Sequence, residues 1–377
     1  MASGGSGSTR VRYWEYLPDY ERNRGEILAA VDRVFSSGRL ILGECVQRFE
    51  EKFSAWCGTR FGVGVNSGTD ALFLALKALE IGPGDEVITV ANTAVPTVAA
   101  IRAAGATPVF VDVEADTFLM DAALLEGAIT PRTRCILPVH LCGQAADMAA
   151  IGEVAQRHGL AVVEDCAQAA GALFEGRRAG SFGAMGAFSF YPTKVLGAFG
   201  DGGMVVTSDG ERAARLRRLR FYGMEGGYYS REEGYNSRLD EVQAALLELR
   251  MGSLDDEVAR RVDRAGRYHA GLEGVGDLLL PVTRSGRSHQ FYLYTVRTGR
   301  RDELQAYLAS RGIETRINYP HPVHLMKGYA FLGHLPGSLP VTERLAGEIL
   351  SLPMYPSLPV EHVETVIGAV RDFFAGA

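Results

Sequence analysis

A mostly parallel α/β sheet covered by helices, followed by a smaller α+β unit, is the architecture this sequence predicts. Three observations carry it. Short β-branched runs alternate with helical stretches from about Phe61 to Thr207, the pattern of parallel strands joined by helical crossovers. The chain has 377 residues, which suits a large domain plus a smaller one better than one typical domain. Apolar residues make up 47% and charged residues 22%, so substantial cores can be buried.

The elements follow in order. Met1 to Thr9 is Gly/Ser-rich, and residues 1–10 are expected to be disordered. Gly25 to Phe35 has helical periodicity, with Ile27, Leu28, Val31, Val34 and Phe35 on one apolar face, and Ser36-Ser37-Gly38 stops it. Val46 to Trp56 repeats the pattern. Phe61 to Val65 reads as a strand, Ala71 to Leu79 as a helix, and Gly82-Pro83-Gly84-Asp85 as a turn before strand Glu86 to Val90. Thr97 to Ala104 is helical, and Thr107 to Val111 is the next strand. Cys135 to Val139, Ala161 to Glu164, Gly186 to Phe190 and Gly203 to Thr207 supply the remaining strands. The large domain is expected to span 11–250, including an N-terminal arm. Asp255 to Leu272 reads as a long charged helix, Phe291 to Val296 as a strand, Arg301 to Arg311 as a helix, and the end of the chain as two more helices. These make a small α+β domain over 251–377.

Charge and cysteines narrow the classes of function. Lys and Arg number 39 against 45 Asp and Glu, a net charge of −6, which argues against nucleic acid as the main partner. The five cysteines include no C-x-x-C pair, and no apolar signal segment precedes them. A reducing, cytoplasmic setting is therefore expected. No run of 18 uncharged apolar residues occurs, so no membrane span is expected.

Two strand-like runs deliver an acid and an amine. Ala161-Val162-Val163 ends at Glu164-Asp165, and Ala187-Phe188-Ser189-Phe190 leads through Tyr191-Pro192-Thr193 to Lys194. An aldehyde cofactor such as pyridoxal phosphate needs both: a lysine amine to form the Schiff base, and a carboxylate to pair with the ring nitrogen. A lysine at a strand end is ordinarily a surface residue. Here it precedes a glycine-rich return, Gly197 and then Gly200-Asp201-Gly202-Gly203, where backbone can pass close to a planar ring. Asp165 sits where open α/β sheets place ligands, although it could equally cap the next helix. Gln168, three residues on, would point toward the same place and suits a ring hydroxyl. Ser67-Gly68-Thr69, between a strand and a helix, offers free amides and hydroxyls to an anion, but is also a routine N-cap turn. There is no Gly-x-Gly-x-x-Gly fingerprint and no P-loop lysine.

A metal site is not expected. His321 and His324 are spaced i, i+3, but Pro320 and Pro322 interrupt any helix there, and His140 and His158 have no carboxylate partner by spacing. Tyr319 and His324 could line a polar pocket or cap a loop.

From Ser36 to Pro356 the sequence resembles the DegT/DnrJ/EryC1/StrS family of sugar aminotransferases. The motifs are Asn66-Ser67-Gly68-Thr69-Asp70-Ala71-Leu72, Gly82-Pro83-Gly84-Asp85-Glu86-Val87 and Glu164-Asp165-Cys166-Ala167-Gln168-Ala169. Phe188-Ser189-Phe190 before Lys194, Gly202-Gly203, Tyr235 to Ala245 and Tyr319-Pro320 complete them. The resemblance implies the fold type I architecture of aspartate aminotransferase, pyridoxal 5'-phosphate as cofactor, and transamination. It makes Lys194 the Schiff-base lysine, Asp165 the partner of the ring nitrogen and Gln168 the ligand of the ring hydroxyl. Gly68, Thr69 and Ser189 become phosphate ligands, and Asn236 reaches the phosphate in a neighbouring subunit, which implies a homodimer with shared active sites. Tyr319, His324 and Arg238 are candidates for the substrate.

Relatives with histidine in place of the lysine dehydrate instead of transaminating; here the lysine is present. Asn236-Ser237-Arg238-Leu239-Asp240-Glu241-Val242-Gln243 resembles the form found in enzymes that aminate C3 of nucleotide-linked keto sugars, whereas C4-specific relatives more often have Asn-Tyr-Arg. The implied reaction moves the amino group of L-glutamate to a dTDP-linked 3-keto-6-deoxyhexose, giving a dTDP-3-amino-3,6-dideoxyhexose for an antibiotic or surface-polysaccharide sugar. Alternatives are a C4 aminotransferase, a scyllo-inosose aminotransferase and a non-catalytic cofactor-binding regulatory or structural protein. One departure stands out: Ala94 replaces the aromatic ring that often stacks on the cofactor.

Overall fold

The structure, a computed structural model, describes residues 10–376. Helices α1 (Leu17–Ser36) and α2 (Glu44–Cys57) precede the sheet. Then come β1 (Phe61–Val65), α3 (Gly68–Ala78), β2 (Glu86–Val90), α4 (Val95–Ala103), β3 (Thr107–Val111), the one-turn α5 (Leu125–Ala128), β4 (Thr133–Ile136), α6 (Met148–His158) and β5 (Ala161–Asp165). A short hairpin, β6 (Leu173–Phe174) and β7 (Arg177–Arg178), leads into β8 (Met185–Ser189) and β9 (Gly203–Thr207). The chain ends through α7 (Gly210–Leu219), α8 (Glu241–Met251), α9 (Leu254–Leu272), β10 (Tyr294–Arg297), α10 (Arg301–Ser310), α11 (Pro340–Glu348), β11 (Ile349–Leu352) and α12 (Val360–Ala375).

The main sheet has seven strands in the order β1-β9-β8-β5-β4-β2-β3. Only β9 runs against its neighbours, antiparallel to both β1 and β8, so the expected mostly parallel sheet is present. Every residue of β2 is buried, as a strand covered by helices on both faces requires. Gly203 is paired with Val65 on one side and Ser189 on the other, which brings the ends of β1 and β8 within one strand of each other. A second apolar core, with Tyr268, Leu272, Tyr294, Leu304, Leu350 and Val366, joins α9, α10 and α12 to the antiparallel pair β10 and β11. This is the smaller C-terminal unit of the fold.

Local chemistry sets the boundaries. The Ser67 hydroxyl caps α3 by accepting from the Asp70 amide at 3.1 Å. Asp147 caps α6 in the same way, and Gly58 and Gly159 end α2 and α6 in left-handed conformations. The Glu241 carboxylate caps α2 from a distance, accepting from the amides of Gly43 and Val46 at 2.8 and 3.2 Å.

Several expectations are corrected. Helix α1 begins at Leu17, well before Gly25, with a proline in its first turn, where the missing N–H costs nothing. Its face is narrower than expected: Leu28 and Phe35 are 46% and 61% exposed, whereas Ile27, Ala30 and Val34 are buried. The strand expected over 135–139 ends at Ile136, two residues before Pro138, which cannot donate to a ladder. The strand expected from Phe291 starts at Tyr294, because Phe291 has φ 46° and extended pairing cannot pass through that conformation. Residues 1–9 of the segment expected to be disordered lie outside the described residues. Arg10 is described, and its Nε donates to Glu314 at 3.0 Å.

Candidate active site

Asp165 is the last residue of β5 and is buried. Its Oδ2 accepts from the Thr97 hydroxyl at 2.8 Å and its Oδ1 from the Ala167 amide at 3.1 Å. Each oxygen thereby keeps capacity for a further donor. Burial is the largest influence on this carboxyl and raises its pKa above the ordinary aspartate value. The Ala167 amide, the Thr97 hydroxyl and the Lys194 charge act in the opposite sense.

A raised acid pKa has a definite consequence for stability. Between the ordinary value and the folded value, the native state holds a proton that the unfolded chain has released. Stability therefore falls as pH rises through that window and stays lower above it. In the cofactor-free protein, Asp165→Asn is expected to melt at a higher temperature than wild type at neutral pH, with the difference closing in acid. A variant that melts lower at neutral pH would show that the partners of the anion outweigh its burial.

Lys194 follows β8 through a turn closed by its own amide on the Tyr191 carbonyl at 2.8 Å. It is half-buried, and its Nζ lies 4.8 Å from the centre of the Tyr292 ring, a cation–π distance. The Lys194 charge acts on Asp165 in favour of its anion. Gln168 joins the same end of the sheet: its Oε1 accepts from the Cys142 amide at 2.8 Å, and its Nε2 donates to the Tyr319 hydroxyl at 3.0 Å. Burial pushes the Tyr319 phenol well above its ordinary pKa, so the hydroxyl that accepts from Gln168 is neutral.

The anion cradle forms where β1 and β8 end. Helix α3 starts at Gly68, and its first backbone bond runs from the Ala71 amide to the Ser67 carbonyl at 2.9 Å. The amides of Gly68 and Thr69 precede that bond and have no helical partner. A Cβ on Gly68 would lie 2.5 Å from the Ser189 Cβ, so only glycine lets this helix start approach the Ser189 hydroxyl.

The remaining candidates are arranged differently. Asn236 is exposed and Arg238 half-buried. The Arg238 guanidinium lies 5.1 Å from the Phe221 ring centre and 5.7 Å from that of Tyr222. Ser237 between them ties the segment to the cradle, donating to Asp70 Oδ2 at 2.6 Å and accepting from the Asn66 amide at 3.1 Å. His324 is fully buried with Nε2 on Glu343 at 3.1 Å. It packs near Phe110 and His334, and it makes no hydrogen bond to Asp165, Gln168 or Tyr319.

Sequence spacing missed the contacts made by Thr97, Tyr292 and Ser237 and by the His140–Glu164 pair. The absence of carboxylate partners for His140 and His158 is corrected. His140 Nε2 meets Glu164 at 3.0 Å, and His158 Nε2 meets Glu126 at 2.7 Å. The atoms of His140, Glu164 and Cys166 lie within 4.8 Å of one another, but their hydrogen bonds are already assigned. Glu164 accepts from the amides of Gly180, Phe182 and Gly183, each at 2.7 Å. His140 Nδ1 accepts from the Ala146 amide at 3.0 Å, so Nε2 carries the proton donated to Glu164. Burial, reinforced by Glu164 and Asp165, pushes the Cys166 thiol up, away from the thiolate a metal would need. The cluster is a structural brace behind Asp165.

A buried carboxylate with spare acceptor capacity, an amine in its field and a cradle of free amides fit the ring nitrogen, aldehyde and phosphate of pyridoxal phosphate. Comparisons with known proteins agree. The DegT/DnrJ/EryC1/StrS aminotransferase family matches residues 21–371. A dTDP-3-amino-3,4,6-trideoxy-alpha-D-glucose transaminase from Micromonospora megalomicea subsp. nigra is 55% identical over 96% of this chain and 98% of its own. The crystal structure of S. venezuelae DesV in complex with a ketimine intermediate superposes with a TM-score of 0.95 at 50% identity, covering 97% of this chain and 98% of that one. NtdA from Bacillus subtilis with bound cofactor PMP superposes with a TM-score of 0.91 at 30% identity, over 99% of this chain and 87% of that one. With the acid, the amine and the cradle gathered at the carboxyl ends of β5, β8 and β1, the chain belongs to the DegT/DnrJ/EryC1/StrS family and is a pyridoxal-phosphate-dependent aminotransferase of fold type I.

Proposed function

We propose that the protein transfers the amino group of L-glutamate to C3 of a dTDP-linked 3-keto-6-deoxyhexose, giving a dTDP-3-amino-3,6-dideoxyhexose. The observation that carries amination at C3 of a dTDP-linked sugar is the 55% identity, along nearly the whole chain, to a transaminase named for dTDP-3-amino-3,4,6-trideoxy-alpha-D-glucose; a transaminase named for a dTDP-3-amino-3,6-dideoxy sugar is 44% identical. The Asn236-Ser237-Arg238 form of the late motif supports it.

When bound, pyridoxal phosphate supplies an electron sink that allows an amino group to be taken from one substrate and passed to another. The chain's own residues do the rest. The Lys194 amine, steadied against Tyr292, removes the proton from the glutamate Cα and returns one to C3 of the sugar in the second half of the reaction. Asp165 holds the proton on the ring nitrogen, and that pairing offsets the cost of burying its charge. Gln168, oriented by the Cys142 amide and Tyr319, bonds the ring hydroxyl. Gly68, Thr69 and Ser189 bind the phosphate. Tyr319 and Arg238 are assigned to the sugar nucleotide; the substrate role expected for His324 is withdrawn, because its side chain is buried and bonded to Glu343.

The exposed position of Asn236 supports its assignment to a second subunit's phosphate, and so a homodimer with shared sites. Five unpaired thiols, four of them buried, support a reducing cytoplasm. Among the described residues, no helix is long and apolar enough to cross a membrane.

The deciding experiment supplies purified, cofactor-loaded enzyme with glutamate and three acceptors: the 3-keto-6-deoxyhexose, its 4-deoxy counterpart and the 4-keto isomer, all dTDP-linked. Amination at C3 with kcat/KM at least about tenfold above the 4-keto isomer is expected, the difference that about 1.4 kcal/mol of transition-state discrimination produces. Preferred amination at C4 would overturn the regiochemistry while leaving the transaminase assignment in place.

A further inference from the structure

We propose that Thr97, backed by Thr93, is a positioning residue that holds Asp165 as an anion through a two-hydroxyl relay directed at its carboxylate. The inference rests on the reading that Asp165 faces the cofactor ring nitrogen, and it adds two residues to that site.

The directions of the hydrogen bonds follow from proton counting. The Thr97 hydroxyl donates to Asp165 Oδ2 at 2.8 Å and lies 2.8 Å from the Thr93 hydroxyl. A threonine has one hydroxyl proton. Since Thr97 spends its proton on the carboxylate, Thr93 must donate to Thr97. All three residues are buried: Thr93 and Thr97 are 1% exposed and Asp165 is 4% exposed. Water therefore has little access to replace either bond. Successive hydrogen bonds polarise one another and favour the charged acceptor at the end.

Other groups around Asp165 cannot take this role. Lys194, on the loop between β8 and β9, takes up and releases a proton during the proposed reaction, so its help to the anion varies. His140, after β4, gives its Nε2 proton to Glu164. Tyr319, from the C-terminal part of the chain, bonds Gln168 and not Asp165, and Cys166 next to Asp165 would only repel the anion if ionised. The Ala167 amide on Oδ1 is the other fixed donor. The relay is thus the constant side-chain support of the charge, whatever the protonation of Lys194.

The test measures pyridoxal phosphate affinity of the cofactor-free protein from neutral pH into acid, for wild type, Thr97→Val, Thr97→Ser, Thr93→Val and Asp165→Asn. Thr97→Val is expected to lose affinity at a higher pH than wild type, binding about tenfold more weakly in mild acid, as loss of a hydrogen bond to a charged group predicts. Thr97→Ser keeps the donor and should track wild type, and Thr93→Val should shift less in the same direction. Thermal unfolding separates this from a loss of packing, because a structural role would lower the melting temperature without moving the pH profile. A Thr97→Val profile that superimposes on wild type, or a Thr97→Ser profile equally displaced, overturns the relay. Should Thr97→Val fail to fold, an unshifted Thr93→Val with a displaced Thr97→Ser overturns it. Wild-type affinity indifferent to Asp165→Asn would instead overturn the assignment of Asp165, and the relay with it.

Discussion

Lys194→Ala is expected to abolish transamination while leaving the folded protein intact. The side chain is half-buried and its aromatic neighbour Tyr292 is also held by a hydroxyl contact to Thr193 at 3.2 Å, so removing the amine disturbs little packing. The chemical loss is large because one amine serves as nucleophile and as proton carrier in both half-reactions. A fall in kcat of roughly 10³-fold or more is expected, with no glutamate-dependent change in the absorption of the bound cofactor. Thermal unfolding should match wild type within the range of surface substitutions. A variant that still turned over glutamate would assign the proton transfer to another base and refute the role given to Lys194.

Gly203→Ala has the largest expected effect on the framework of the site. A Cβ at this position would lie 2.2 Å from the Ser67 carbonyl oxygen and 2.8 Å from the Gly68 amide nitrogen. Both are backbone atoms that cannot rotate away, and the pairing of Gly203 with Val65 and Ser189 holds β9 against them. Either β9 shifts or the start of α3 is pushed from Ser189, so that the cradle opens. Overpacking of this kind costs about 1–3 kcal/mol, read as a lower melting temperature, and cofactor affinity should fall with it. Gly68→Ala, whose Cβ would meet the Ser189 side chain, should weaken cofactor binding with a smaller loss of stability. Equal stability and affinity for Gly203→Ala and wild type would show that the close approach is not required.

Much of this protein was legible from local sequence alone. Period-two and period-3.6 apolar patterns located the strands and helices of the large unit, because those patterns are imposed by the residues' own neighbours along the chain. The acid at the end of β5, the lysine beyond β8 and the Ser67-Gly68-Thr69 turn were visible for the same reason. Each is a chemically unusual residue at the end of a recognisable element, and the family motifs around them give each an expected role.

What joined those residues was decided by tertiary structure. Thr97 reaches Asp165 across 68 positions, Tyr319 reaches Gln168 across 151, and the His140–Glu164 brace crosses 24 with three loop amides added. Sequence spacing carries no record of such contacts, which arise only when the order β8-β5-β4-β2 places strand ends side by side. The same holds for exposure: Leu28 and Phe35 fit an apolar stripe, yet helix α1 meets α8 along a narrower face that includes Ile27 and Ala30. Periodicity reports which way side chains point from their own element. Only the packing of whole elements sets which of them are covered, which hydroxyl meets the buried acid, and how close two backbones must pass to enclose a phosphate.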